Sequence, residues 1–201
     1  MIIDKKYWND RYRSNQTGWD IGHISQPIKE YLDQLTNKNI AILIPGCGNA
    51  YEAEYLLKSG FKNITLVDFS ELAVENLLQR FKEPAKENKI KIVLSDFFEM
   101  NSHFDLIIEQ TFFCALDPSL RKKYATKMHT LLNHNGKVAG LLFSFPLTYE
   151  GPPFGGSIEE YQKYFREFFE IQTMDICYNS IQPRKDRELF FILKKKTKIE
   201  K

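Results

Sequence analysis

An alternation constrains this chain more than any other feature. Four short apolar runs, "NIAILI" (39–44), "NITLVD" (63–68), "KIVLS" (91–95) and "FDLIIE" (104–109), are separated by segments of helical spacing. Runs this short, and rich in Ile, Val and Leu, read as strands buried on both faces, the signature of a parallel sheet covered by helices. "YEAEYLLKSG" closes on a glycine, and "SELAVENLLQRF" opens on a capping Ser70. "DPSLRKKYATKMHTLLNHNG" (117–136) opens with Asp-Pro and closes with Asn-Gly, which predicts one helix marked at both ends. "KVAGLLFSF" predicts a fifth strand and residues 158–168 a further helix. The last two strand-like runs, "EIQTMDICYN" and "RELFFILKK", have no helix between them and predict an antiparallel hairpin. The expected fold is therefore α/β. It is a doubly wound, Rossmann-like, seven-stranded and mostly parallel sheet, with helices on both faces and a C-terminal antiparallel hairpin. Ahead of it, residues 4–13 and 26–35 read as two short helices, with Pro27 in a first turn.

At 201 residues the chain can build one substantial core, and no repeat or low-complexity linker divides it, so a single domain over 1–201 is expected. The 28 Lys and Arg against 26 Asp and Glu leave a net charge of +2, which gives no reason to invoke nucleic acid or a membrane surface. The one charge run, "KKKTKIEK" (194–201), is expected to be a solvated, fraying terminus. Cys47, Cys114 and Cys177 are odd in number and form no CxxC pair, as expected of reduced thiols in a cytoplasmic protein without a disulfide or metal framework. The stretch "MIIDKKYWND" lacks the apolar core expected of a signal peptide, and no apolar run approaches spanning length.

The functional signal lies in "AILIPGCGNAYE" (41–52), where the first strand runs into two glycines and then a helix. In a doubly wound sheet, ligands bind outside the carboxyl ends of the strands beside this turn. A dinucleotide fingerprint requires G-x-G-x-x-G/A, so that a small third residue lets the helix pack close beneath a pyrophosphate. Counting from Gly46, that position is Tyr51, which is too large. The second strand ends in "LVDFS", and Asp68, twenty residues beyond Gly48, is placed to accept hydrogen bonds from ribose hydroxyls or to cap the next helix. The third ends in "LSDFFE", where Asp96 can bond an adenine amino group, while Phe97 either packs on the ring or belongs to the core. A nucleoside site without a pyrophosphate cradle fits S-adenosyl-L-methionine.

These segments resemble class I S-adenosylmethionine-dependent methyltransferases. More narrowly, the chain is similar to the thiopurine S-methyltransferase family, on the branch of the thiol/halide (thiocyanate) methyltransferases. The resemblance runs from about Trp8 to Arg187 and rests on "YWNDRYRSNQTGWDIG", "IPGCGNAYE", "VDFSELAVE", "FFCALDPSLRKKYATKM" and "GPPF". It implies a monomer with an N-terminal helical lid over residues 1–35 on a Rossmann-like core over 36–201. It also implies that Trp8, Tyr12 and Trp19 form an aromatic cover, that Gly46 in the Gly46–Gly48 turn touches the methionine part, and that Gln110 lies near it. Asp68 would hold the ribose, and Asp96 and Phe97 the adenine. Relatives often carry Trp where this chain has Tyr12, and Arg or Tyr where it has Gln110. A cover of this kind also has a physical rationale. Aromatic faces attract a sulfonium as they do other cations, by about 0.5–2 kcal/mol, and they exclude water. Spaced 8, 12 and 19, the three rings cannot share one helical face, so Trp19 must come from a loop that folds back.

Methyl transfer from an activated donor needs alignment more than acid–base chemistry. The expected acceptor is a thiol, a thiopurine or a halide- or thiocyanate-like anion, none of which needs a strong base. His103, His129 and His134 are therefore expected to be structural or on the surface, and His23, in the N-terminal loop, is kept as a candidate. The acceptor pocket is expected from Trp19, Phe112, Phe113, Tyr149 and Phe154, with Arg184 or Arg187 attracting an anion. An NAD(P)-dependent oxidoreductase and a non-catalytic S-adenosylmethionine-binding protein are the alternatives. A nucleic-acid methyltransferase is disfavoured, because the prolines of "GPPF" follow the fifth strand and the fourth ends in "EQTFF".

Overall fold

The computed structural model describes residues 3–197. Two short helices, α1 (Lys5–Arg13) and α2 (Gln26–Asp33), precede an alternation of strands and helices. The alternation lapses between the third and fourth strands, where only a 3-10 turn at Phe97–Glu99 stands in place of the expected helical segment. It runs β1 (Ile42–Pro45), α3 (Tyr51–Lys58), β2 (Ile64–Asp68), α4 (Glu71–Arg80), α5 (Lys82–Lys86), β3 (Ile90–Leu94) and β4 (Phe104–Gln110). Then come α6 (Arg121–Leu131), β5 (Leu132–Phe143), α7 (Ile158–Phe165), β6 (Phe169–Ile176) and β7 (Glu188–Lys195). The strands form one seven-stranded sheet in the order β3-β2-β1-β4-β5-β7-β6. The first five pair in parallel, and β7 lies antiparallel between β5 and β6, so it alone runs against the other six.

The alternation of side chains along each strand builds two cores. Leu43, Val67, Ile107 and Val138 face α6 and α7, through Tyr124, Met128, Tyr161 and Phe165. Ile42, Ile44, Leu66, Ile108 and Leu141 face α2, α3 and α4, through Ile28, Leu32, Leu56 and Leu77. Strands sandwiched in this way must be apolar on both faces, which is why they read as continuous runs.

Two segments differ from the sequence expectation. The helix predicted over 117–136 ends at Leu131, and "LNHNG" already belongs to β5. Asn135 takes a left-handed φ of 62°, and the pairing with β4 shifts between Phe104 and Leu106, so Asn-Gly marks a bulge inside a strand. The charge run also starts in structure. Lys194 and Lys195 complete β7, and the Lys196 ammonium donates to the Arg166 carbonyl at 2.9 Å. Residues 198–201 of that expected tail lie outside the described residues. Among the described residues no helix is long and apolar enough to cross a membrane.

Candidate active site

Beside β1 the strand order reverses, β2 lying on one side and β4 on the other, and a cavity of about 740 Å3 opens above the carboxyl ends of the strands. Its floor is the glycine turn. Gly46 and Gly48 take φ of 53° and 49°, and Ala50, at the start of α3, takes 50°. At Gly46 the protein itself makes a close approach. A Cβ built there would lie 2.2 Å from the Phe112 ring, so that ring reaches the cavity only because residue 46 has no side chain. The turn is tied to the second strand by the Gly48 N–H, which donates to Asp68 Oδ2 at 3.0 Å. The other oxygen of Asp68 accepts the Ser70 N–H at 2.9 Å, and Ser70 caps α4 by accepting the Ala73 N–H. The N-cap of α4 is thus Ser70 itself, with Asp68 one step behind it. Asp68 organises the start of α4 and still lines the cavity, where burial raises its pKa above the ordinary value.

The aromatic cover assembles as its spacing requires. Trp8 and Tyr12 sit one turn apart on α1, and Trp19 folds back from the following loop to meet both edge-on, at ring-centre distances of 5.2 and 5.8 Å. Polar contacts hold this segment across the cavity. Asp20 accepts the Gly22 N–H at 2.7 Å and the Tyr51 hydroxyl at 3.3 Å, and also bonds Asn49. Ser25 donates to Gln110 Oε1 at 3.0 Å, and Arg184 donates to the Trp19 carbonyl at 2.6 Å. The one buried residue of α1 is Asn9. Its oxygen accepts the Ser70 hydroxyl at 2.6 Å and its amide donates to Glu71 at 2.5 Å. Removing it should unpin α1 with little effect on the core. In Asn9→Ala, amide exchange across residues 5–13 should accelerate tenfold or more, while global stability falls by only about 1 kcal/mol. Unchanged exchange in α1 would show that the aromatic contacts alone dock it.

The cavity brings together Trp8, Tyr12, Trp19, Gly46, Gly48, Asp68, Asp96, Phe97, Gln110, Phe112, Arg184 and His23. Asp96 also accepts the Phe98 N–H, and Phe97 both touches the cavity and belongs to the core. Four residues expected in the acceptor pocket lie elsewhere. Phe113 is fully buried against Tyr124 and Tyr161, because the short 3-10 turn after β4 sends Phe112 toward the cavity and Phe113 into the core. Tyr149 is 96% exposed. Phe154 packs inward, its N–H bonded to the Cys114 carbonyl, while its neighbours Pro152 and Pro153 line the cavity. Arg187 lies exposed over the Phe145 ring. Phe143 and Cys114 take part in the wall instead. Arg184 is not a free cation, since Glu188 pairs with it at 3.2 Å. His103, His129 and His134 do not line the cavity.

Two acids beneath the cavity carry more than their sequence setting suggests. Glu109, near the end of β4, is fully buried, and its carboxylate accepts the N–H groups of Phe112 and Phe113 at 2.7 and 2.9 Å together with the Tyr124 hydroxyl. Gly140 lies opposite it on β5, where a Cβ would come within 2.6 Å of the Glu109 Cβ. Burial pushes Glu109 up to about 7. Glu52, in the first turn of α3, is buried at the cavity wall and is likewise pushed up to about 7. The glycine inside "KVAGLLF" was the one sequence signal of a close approach to β4.

A family model described as Thiopurine S-methyltransferase (TPMT) matches residues 3–198. "Probable thiol methyltransferase 2" of Arabidopsis thaliana is 30% identical over 184 residues, which are 90% of this chain and 81% of that protein. "Thiocyanate methyltransferase 1" of Brassica oleracea is 26% identical over 189 residues, 92% and 83% of the two chains. The Burkholderia thailandensis 1,6-didemethyltoxoflavin-N1-methyltransferase, solved with S-adenosylhomocysteine, shares the fold with a TM-score of 0.74 at 18% identity, over 96% of this chain and 87% of that one. With a cavity of this construction at the switch point, and a family match over nearly its whole length, the chain belongs to the thiopurine S-methyltransferase family.

Proposed function

We propose that the chain transfers the methyl group of S-adenosyl-L-methionine to a small soft nucleophile: a thiol, a thiopurine, or a halide- or thiocyanate-like anion. The observation that carries this reading is the convergence, in one cavity, of an aromatic cover and two strand-end acids with no pyrophosphate cradle. The residues present fit the cofactor's chemistry. Asp68 keeps free lone pairs for ribose hydroxyls, Asp96 and Phe97 suit an adenine, and the Trp8–Tyr12–Trp19 faces suit a sulfonium. Tyr51 stands where a dinucleotide turn needs a small residue, and its hydroxyl is bonded to Asp20 of the cover loop.

Bound S-adenosyl-L-methionine supplies a methyl group on a positively charged sulfur, already activated toward displacement. The chain's own residues have three tasks. The cover and Phe112 exclude water, the glycine turn with Asp68 fixes the nucleoside, and the wall of Phe143, Cys114, Pro152, Pro153 and the neutral Arg184–Glu188 pair confines the acceptor. Because Arg184 is paired, attraction of an anionic acceptor falls to the donor's sulfonium and to Arg11, which also lines the cavity. No base is needed, since a thiol that ionises near neutral pH arrives as the nucleophile.

The test supplies methyl-labelled S-adenosyl-L-methionine with a panel of alkyl and aryl thiols, thiopurines, iodide and thiocyanate. The expected result is label in a thioether, a methyl halide or methyl thiocyanate. No methylated product from any member, or calorimetric heat with NADH and none with the methyl donor, would sink the reading.

A further inference from the structure

We propose that the carboxylate of Glu52 is the seat for the α-ammonium group of the bound cofactor. The proposal rests on the methyltransferase reading and extends it to a residue outside the nucleoside and sulfonium contacts. Glu52 lies in the first turn of α3, immediately after the glycine turn, and is only 6% exposed while lining the cavity. Among the described residues no other side chain donates a hydrogen bond to it and no cation pairs with it. Its own backbone N–H is the donor it has, and a buried carboxylate so short of partners is unfavourable compared with one in water. Such a group is stable in a wall that a cation completes.

The other acid on this side of the cavity does not offer the same opportunity. Asp20 is engaged by the Gly22 N–H, by Asn49 and by Tyr51. Asp68 and Asp96 lie at the ends of the strands that face a nucleoside. The cofactor presents two cationic centres, and the aromatic rings suit the diffuse sulfonium, not an ammonium with three N–H donors. A compact carboxylate beside the glycine turn supplies the missing acceptor.

Titration provides a second handle. The groups facing Glu52 are Asp20 from the cover loop, Cys47 from the glycine turn and Arg80 from α4. Burial dominates and the nearby Asp20 adds to it. Arg80 works the other way, but its guanidinium is already paired with Glu54. Glu52 is therefore partly protonated near pH 7, and an arriving ammonium must expel that proton.

The experiment is calorimetric titration of the full chain at pH 7 with S-adenosylhomocysteine and with 5′-methylthioadenosine, which lacks the amino-acid portion, each in two buffers of different ionisation enthalpy. For the wild type, S-adenosylhomocysteine should release a fraction of a proton and 5′-methylthioadenosine none. Glu52→Gln should weaken S-adenosylhomocysteine tenfold or more, abolish the proton release, and leave 5′-methylthioadenosine within twofold. An unchanged affinity for S-adenosylhomocysteine, or an equal loss for both ligands, overturns the assignment. A wild type that binds neither ligand overturns the methyltransferase reading itself, a failure distinct from that of Glu52.

Discussion

Glu109→Ala should destabilise the protein by about 3 kcal/mol, whereas Glu109→Gln should lose far less, and the two together isolate what this buried acid does. The alanine variant removes the acceptor of three donors at once, the N–H groups of Phe112 and Phe113 and the Tyr124 hydroxyl, and leaves a void between β4 and β5. It also frees a turn that holds Thr111 at a φ of 62°, a left-handed conformation that a β-branched residue rarely adopts. Phe112 and Gln110 should lose their places in the cavity wall with it. Glutamine can keep one oxygen toward both N–H groups and offer its amide to the Tyr124 oxygen, much as the protonated acid does. The pH dependence follows from the sign of the shift. The folded pKa, about 7, lies above the ordinary 4.5, so the folded state holds the extra proton and wild-type stability falls as pH rises through that window. The fall attributable to Glu109 is about 3 kcal/mol when complete. Denaturant unfolding at pH 5.5 and pH 8 should show glutamine gaining on the wild type at the higher pH. Glu52 titrates in both proteins and cancels in the difference. A constant gap between them would place the Glu109 pKa outside this range.

The legible parts of the fold were those that repeat. Strands buried on both faces are apolar throughout, and the helices between them carry capping Ser70 and the N-terminal Pro27, so the order of elements follows from local chemistry. Asn-Gly after α6 misled because the dipeptide reports only that a left-handed residue is tolerated. A helix end and a strand bulge use it equally, and the bulge won because Leu132 pairs with Phe104 on β4. The part of the cavity built by the strand ends and the glycine turn was legible from strand ends and glycine spacing. The opposite wall of the cavity was not, because which of several aromatics faces inward depends on the path of the 144–156 loop. Arg121, fully buried, sets part of that path by donating to the Gly155 carbonyl at 2.7 Å while pairing with Glu160. Glu52 and Glu109 were invisible for another reason. An acid after an apolar run looks like the end of a strand, and an acid in a first helical turn looks like a solvated N-terminus. Their burial is a property of the neighbours, Gly140 above all in the case of Glu109.

Asp68 is the residue through which the cofactor and the cover are expected to communicate. Asp68→Asn should weaken S-adenosylhomocysteine by about 1–3 kcal/mol, ten- to a hundredfold at the centre of that range. Its two oxygens are already committed to backbone, one to Gly48 of the glycine turn and one to Ser70 at the start of α4, and Ser70 passes the contact on to Asn9 of the cover. Replacing one oxygen by an amide nitrogen sets a donor against a donor on whichever side it falls. The ribose then loses a charged acceptor, and the turn or the helix start loses its tie. An analogue lacking both ribose hydroxyls separates these effects, because it should bind wild type and variant alike if the hydroxyls are the partners. The pH dependence should run in a definite direction. Burial raises the Asp68 pKa, and hydroxyl donors favour the ionised form, so binding should weaken as pH falls through the raised value. If Asp68→Asn holds S-adenosylhomocysteine within twofold of wild type, the carboxylate serves the glycine turn and α4 alone, and the ribose must be held from another wall.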